Sequence, residues 1–340
     1  MANMNIGTPR FYTDHINYLM NRGIGQDGNF DVITGSNLIG IQTGSEAELF
    51  DMRPLNKVDF DTSANTSDHV LINIDTQSTS TKKSFVAILN HNMASADAKV
   101  LIKASDTESH VQAVNMGSAT AMDTPVEVVN ADAIASSIVT PATDGSTIIK
   151  FTEQSLRYWG IQFEGNSSNT FSATDLFVGC IMIGEYYDMP HAPDMNITRM
   201  ISYNRMNDLQ ESYGGQRFSN LKTYGRTAGS TSKSPFTTAS NGYESQGGRL
   251  IYDMNFSFIN NTDIMPDEYD IIADDDNFVN DVWNKTNGNH LPFIFSIDKD
   301  SEGDNAESEH IFGRFANNSL DMQQVAPEIY NLKLTVEEEF

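Results

Sequence analysis

Two groups of residues in this chain have side-chain types and spacings that suggest chemistry: an acidic run at 298–309 (DKDSEGDNAESE) and the polar triplet Asn90, His91 and Asn92. In the run, Asp298, Asp300, Glu302 and Asp304 occupy loop positions 1, 3, 5 and 7, Gly303 position 6 and Glu309 position 12. A calcium loop uses such spacing, because a hard cation takes several oxygens and a closing bidentate carboxylate. The match is partial. Glu302 stands where Asp or Asn belongs, Ala306 brings no oxygen side chain at position 9, and strand-like sequence flanks the run where helices should. The run therefore reads first as a solvated acidic hairpin tip, and no metal is expected. In the triplet, His91 could serve as a ligand or catalytic imidazole, with Asn90 and Asn92 as sugar contacts. The competing role is local, since such a turn can satisfy its own backbone through side-chain hydrogen bonds.

Other catalytic signatures are missing. The seven histidines (His15, His69, His91, His110, His191, His290 and His310) stand singly, without the spacing of a zinc-binding helix. There is no Gly-x-Ser-x-Gly elbow, and the pairs Gly214-Gly215 and Gly247-Gly248 lack the Lys-Ser/Thr of a phosphate loop. Cys180, the single cysteine, sits in the apolar run LFVGCIMIG and reads as a buried small hydrophobe; no intrachain disulfide is possible. Acids are plentiful, but nothing selects a catalytic pair among them. The chain reads as a non-enzyme with no catalytic residue and no cofactor.

The elements that must carry these groups are strands. Period-two or continuous apolar runs predict strands at 70–74, 84–89, 99–103, 146–151, 158–163 and 175–183, separated by Gly-, Ser- and Asn-rich turns. Trp159 shares a strand face with Ile161 and Phe163, which points to core packing. Further on, Leu250, Tyr252, Met254, Phe256 and Phe258 alternate with polar residues. A helical segment then carries Phe278, Val279, Val282 and Trp283, preceded by Asp274, Asp275 and Asp276 and stopped near Gly288. Strands at 290–297 and 330–336 follow, the last with Leu332, Leu334 and Val336 alternating with Lys333 and Thr335.

Length and charge bound the rest. The 340 residues suffice for two cores of ordinary size. A formal net charge of −25 opposes tight binding to nucleic-acid backbones and to anionic membranes, since there is no basic footprint to release counterions. No run approaches the roughly 20 apolar residues that span a bilayer, and the N-terminal sequence has no secretory pattern. The expected organisation is a lead-in arm at 1–34, with Phe11, Tyr12, Ile16, Tyr18, Leu19 and Met20 as docking groups, and an all-β domain at 35–188. A linker at 189–196 containing Pro190 and Pro193 would act as a hinge to a second β domain at 197–340. A Gly/Ser/Thr-rich stretch at 225–248 reads as a long loop or hairpin.

Two resemblances sharpen this outline. The segments LFDMRP (49–54), AILNHNM (87–93), 159–163 and VGCIMIGE (178–185) resemble galactose-binding-like jelly rolls, which occur in structural proteins of tailed phages. The order of strand, helix, LPFIF strand, GRF strand at 313–315 and terminal strand resembles the tail-tube-like domain of phage tail and baseplate proteins. The resemblance implies a mainly β chain: a jelly-roll sandwich, then a tail-tube-like β-sandwich with one short helix. It further implies a virion protein of the distal-tail or baseplate ring, made in the host cytoplasm and assembled as a homohexamer around the DNA channel, between the tail tube and a hub or fibre. In such a ring the acids would face outward and line the bore, and Arg205, Arg217, Arg226 and Arg249 would turn toward interfaces or acidic partners. The alternatives are a carbohydrate-binding adhesin or fibre anchor, with a host-surface glycan near Asn90, His91 and Asn92, and another virion component such as a decoration or terminator protein. Because only the partial loop at 298–309 resembles a metal site, chelator treatment is expected to leave the melting temperature unchanged. A large calcium-dependent rise would instead make that loop a structural clamp.

Overall fold

The computed structural model describes residues 6–24, 29–114, 118–121, 126–129, 133–135, 138–202, 207–221, 235–236, 249–267, 276–301 and 309–339. The apolar alternations form strands: β1 (Arg10–Asp14), β2 (Val70–Asp75), β3 (Lys83–His91), β4 (Ala98–Ser105), β5 (Gly145–Gln154), β6 (Tyr158–Gly165), β7 (Cys180–Asp188), β8 (Thr198–Ser202), β9 (Arg249–Asn260), β10 (Phe293–Ser296), β11 (His310–Phe315) and β12 (Ile329–Glu338). Their pairing is antiparallel, and the protein is mainly β, built from several antiparallel sheets. The longest helix among the described residues is α1 (His15–Asn21), capped by Asp14, whose carboxylate accepts from the Asn17 backbone N–H.

Among the described residues the largest sheet has eleven strands, in the order β8-β9-β12-β11-β10-β1-β7-β3-β5 and then 126–129, with 322–326 also pairing β12. A seven-stranded sheet, including β4, β6 and β2 in that order, packs on one half of it. Side-chain alternation along each strand divides the interior into separate cores. On β3, Val86 and Ile88 enter the core shared with the seven-stranded sheet, together with Trp159, Ile161 and Phe163. Phe85, Ala87 and Leu89 point the other way, into a core that also holds Ile294 and Phe312 from the C-terminal half. A further core collects Phe11, Tyr252, Phe256, Phe278, Phe293 and Phe315. This is why every residue of β3 is buried: it has a packed layer on both faces.

The segment expected as a lead-in arm is the centre of the large sheet. Strand β1 pairs β7 on one edge, with Phe11 opposite Tyr187, and β10 on the other, with Phe11 opposite Phe295. Phe11, Tyr12, Ile16, Tyr18 and Leu19 are all buried, so they dock within their own chain. The Thr13 carbonyl lies 2.0 Å from where a side chain on Gly184 would begin, so only glycine lets β1 approach β7 so closely. The expected hinge is therefore bridged: β1 ties the two halves by ladder hydrogen bonds, and the Met189 N–H donates to the Pro9 carbonyl (2.9 Å) while the Asp194 N–H donates to the Asn255 carbonyl (2.8 Å). The sequence suggests a lead-in arm at 1–34 because it shows a strand's apolar side chains but not which distant edges it pairs with.

Two smaller differences have local causes. The run predicted as one strand at 175–183 is broken at Gly179, whose N–H donates to the Leu89 and Asn90 carbonyls; residues 176–178 leave for a three-stranded sheet and β7 begins at Cys180. The predicted helix near 276–285 is a single π-type turn, Val279–Asn284, following Phe278. Asn277 starts it, its Oδ1 accepting from the Asn280 N–H (2.8 Å), whereas Asp274 and Asp275 lie outside the described residues. Phe278 and Val282 are buried as expected, and Trp283 is half-buried against Phe315.

Phe11 touches four rings, Phe278, Phe293, Phe295 and Phe315, at centroid distances of 5.2 to 5.8 Å. Phe11→Ala is expected to cost about 3–5 kcal/mol, the range for a fully buried phenylalanine, measured by urea denaturation. If unfolding of the two halves then separates into two transitions, the shared strand is what couples them.

Candidate functional site

The triplet singled out in the sequence ends β3, with Asn90 in a left-handed conformation (φ 53°). Asn90 Nδ2 donates to the Pro54 carbonyl (2.6 Å) and its backbone N–H to Ser146 Oγ (3.1 Å). His91 Nδ1 accepts from the Met93 N–H (3.2 Å) and Nε2 lies 2.8 Å from Thr147 Oγ1, which fixes a neutral imidazole donating from Nε2. Asn92 Nδ2 donates to the Asp175 carbonyl (2.8 Å), and its Oδ1 accepts from the Phe177 N–H (2.7 Å). All three side chains are buried. Burial drives His91 down to about 3. The triplet latches the loops around 54, 146 and 175 together, through Asn90 Nδ2, both His91 ring nitrogens and both ends of the Asn92 amide.

The acidic run is only partly described. The Asp300 N–H donates to Asp298 Oδ1 (3.1 Å), and Lys299 Nζ lies 2.8 Å from Asp300 Oδ1. Glu302 and Asp304 lie outside the described residues, and Glu309 stands just before β11. Among the described residues no group of three His, Cys, Asp or Glu side chains is placed to hold a metal ion.

No sequence pattern marks the cleft of about 430 Å³ where the two halves meet. Five carboxylates line it: Glu153, Glu185, Asp188, Asp276 and Asp281. Each has a cation. Lys82 Nζ reaches Glu153 (3.0 Å) and Asp276 (3.9 Å), and Lys285 Nζ reaches Glu185 (2.9 Å) and Asp281 (3.2 Å). Arg10 grips Asp188 with two nitrogens (2.5 and 2.9 Å) while lying over the Tyr186 ring. Burial, reinforced by the charge of Glu185, raises Asp281 to about 6 in spite of Lys285. Thr13 Oγ1 lies near both the Asp281 and Glu185 carbonyls (3.1 and 3.2 Å), so the same groups pin the 279–284 turn to β1 and β7. These contacts describe a polar rivet between elements that are hundreds of residues apart in sequence.

Behind the rivet lie two more buried bases. Lys83 Nζ donates to the Thr81 carbonyl (2.7 Å) and Thr81 Oγ1 (2.9 Å), with the Ser78 and Leu156 carbonyls both at 3.3 Å. Burial, then the charge of Lys285, lowers it to about 7. His15 Nε2 donates to the Thr76 carbonyl (3.2 Å); burial first, then Lys83 and Lys285, lowers it to about 3.

The outer surface is uneven. Among the described residues, nine large hydrophobic side chains are exposed, and seven of them follow Asp188: Met195, Met200, Ile201, Tyr213, Phe218, Phe258 and Val325. Met200 and Ile201 lie on β8, which ends the large sheet among the described residues. Of the arginines considered in the sequence, Arg217 pairs with Glu211 (3.2 Å) and Arg249 with Glu337 (3.4 Å); Arg205 and Arg226 lie outside the described residues. Of the stretch 225–248, Pro235 and Phe236 are described, and Phe236 is buried against the sheet beside His310.

No family model matches this chain, and no curated protein matches it. Among solved structures, chitosan-binding module 1 from a chitosanase/glucanase of Paenibacillus sp. IK-5 aligns at 13% identity, over 43% of this chain and 93% of the module, with a TM-score of 0.26. At that score the alignment transfers neither fold nor ligand.

The neutral, buried His91 has a pH consequence. An unfolded histidine takes up a proton near pH 6.5, whereas folded His91 does so only near 3. The unfolded state thus binds more protons between these values, and stability falls as pH drops through that window. The stability advantage of the native chain over His91→Gln should be constant above pH ~6.5 and shrink below it by up to about 1.4 kcal/mol per pH unit. Paired urea titrations across pH measure it, and a pH-independent difference would mean that His91 is not held neutral.

Proposed function

We propose that this chain is a non-catalytic structural subunit that assembles with copies of itself, in the form of a distal-tail or baseplate ring of a tailed phage. The observation that carries the reading is the concentration, among the described residues, of exposed large apolar side chains on the C-terminal β unit, with Met200 and Ile201 on the strand that ends the large sheet there. Apolar groups left in water on an end strand favour association with a second sheet or a symmetry mate. In this reading the N-terminal half is the jelly roll on the periphery and the C-terminal half the tail-tube-like ring former, as the sequence resemblances imply. The rigid tie through β1 suits the role, because a part placed between a tube above and a hub or fibre below has to transmit position between its two halves. The excess of acids suits a conduit wall that does not hold DNA by phosphate contacts.

Native mass spectrometry and negative-stain microscopy of the purified chain test the reading. The expected result is a closed ring with an open bore, built from six copies if the tail resemblance holds. The double substitution Met200→Glu, Ile201→Lys is expected to shift the population to monomer without changing the melting temperature of the monomer, since both side chains are exposed. A strictly monomeric native chain at micromolar concentration would overturn the assembly reading, and a trimer without a bore would favour an adhesin.

A further inference from the structure

Another cleft has a different chemistry from the acidic junction. It encloses about 350 Å³ beside the 279–284 turn and is lined by Trp283, Asn284, Asn287, Gly288, Asn289 and Asn318. In a chain with a formal charge of −25, this lining contains one indole, four primary amides and no ionisable side chain.

The fold builds the cleft from the end of the turn. Trp283 leans on Phe315, with ring centroids 5.3 Å apart, which fixes the indole from within the core. The Gly288 N–H donates to the Trp283 carbonyl (2.8 Å), and Gly288 adopts φ 67°. A side chain there would begin 3.3 Å from Cζ2 of the indole's six-membered ring, so glycine keeps that ring uncrowded. Asn287 (φ 50°) carries its amide at the rim.

The hydrogen-bonding inventory remains largely unspent. Asn289 Nδ2 donates to Asn318 Oδ1 (2.9 Å), leaving Asn289 Oδ1 as an acceptor and Asn318 Nδ2 as a donor. Asn284 Nδ2 donates to Asn280 Oδ1 (3.2 Å), leaving Asn284 Oδ1. Neither the Asn287 side-chain amide nor the Trp283 indole N–H has a hydrogen bond among the described residues. The cleft therefore offers neutral donors and acceptors in similar number around an aromatic surface. A ligand that matches it needs many hydroxyls that both donate and accept, an apolar C–H face and no charge. A pyranose ring has these properties, and the volume is at the small-ligand end of the usual range for binding pockets.

We propose that this cleft, and not the Asn90 to Asn92 turn, binds a neutral sugar unit, with Trp283 as the stacking surface and Asn287, Asn289 and Asn318 as hydroxyl partners. The site is independent of whether the chain forms rings. It would give the same protein a weak glycan contact on its C-terminal half.

The test uses the intact chain and the methyl glycosides of glucose, galactose, mannose and N-acetylglucosamine, together with β-1,4-linked trisaccharides of glucose and N-acetylglucosamine. Trp159 is fully buried, with its indole N–H bonded to the Leu156 carbonyl (2.9 Å), so a sugar-dependent emission change reports Trp283. Saturation-transfer NMR supplies a second readout. At least one neutral probe is expected to bind saturably, more tightly than glucuronate or sialic acid. The double variant Asn287→Gly, Asn318→Ala removes two surface amides, one at a backbone conformation that glycine tolerates. It should bind about tenfold more weakly, as for two lost hydrogen bonds, with an unchanged melting temperature. Trp283→Phe should abolish the emission change and weaken the NMR signal. The proposal is overturned if no neutral probe saturates either signal, if the acidic sugars bind more tightly, or if both variants bind as the native chain does.

Discussion

The double-sided pairing of β1 is the constraint on which the rest of the structure depends. A strand of five residues supplies ladder partners to β7 on one edge and β10 on the other, so the large sheet is continuous only while it is in place. Its side chains serve different cores by simple alternation: Phe11 enters the aromatic cluster of the C-terminal half, and Tyr12 enters the layer that runs under both halves. A one-residue slip would reverse both assignments, and the burial of Phe11 and Tyr12 opposes it. Closing a loop between residues 10 and 296 has an entropic cost that grows only slowly with length, and the packing of Phe11 among four phenylalanines offsets it.

The polar groups at that junction are arranged to keep burial tolerable. Arg10 is buried against the partly exposed Asp188, Lys285 is largely buried between Glu185 and Asp281, and Lys83 is surrounded by four oxygens. Such groups contribute little net stability compared with apolar replacements, but removing one partner leaves an uncompensated charge. Their physical effect here is selective. They accept one register of β1 against β7 and one seat for the 279–284 turn, because any other arrangement would strand a buried ion.

The same turn separates two chemical environments. On one side it presents Asp281 and Lys285 to the charged junction; on the other it presents Trp283 and the neutral amides. An assembly role draws on the exposed apolar residues of the C-terminal half, and a glycan role on the amide cleft, and neither requires a reacting group. The buried His15, His91 and Lys83, which would draw attention as catalytic candidates by residue type, are held by backbone carbonyls and hydroxyls inside the core.

Much of the fold is legible in the sequence. Strand positions emerged from period-two patterns, as at Leu332, Leu334 and Val336, because burying one face of a strand is a local property of the chain. The core placement of Trp159, the buried thiol of Cys180 and the apolar face of the 279–284 turn follow from the same logic. The sites were less legible. Asn90, His91 and Asn92 look alike in sequence whether they face a ligand or latch loops, and their partners at Pro54, Thr147, Asp175 and Phe177 come within reach only in the fold. The role of β1 was invisible for a related reason: its sequence shows that Phe11 and Tyr12 need burial, not which edges will bury them. Likewise Trp283 and Asn318 become neighbours only when the strand pairings bring the 279–284 turn beside the loop after β11. Local side-chain pattern determined which residues form strands and which avoid water. Tertiary structure alone decided which distant strands share an edge, and hence where polar groups converge, because those pairings are fixed by contacts between segments far apart in the chain.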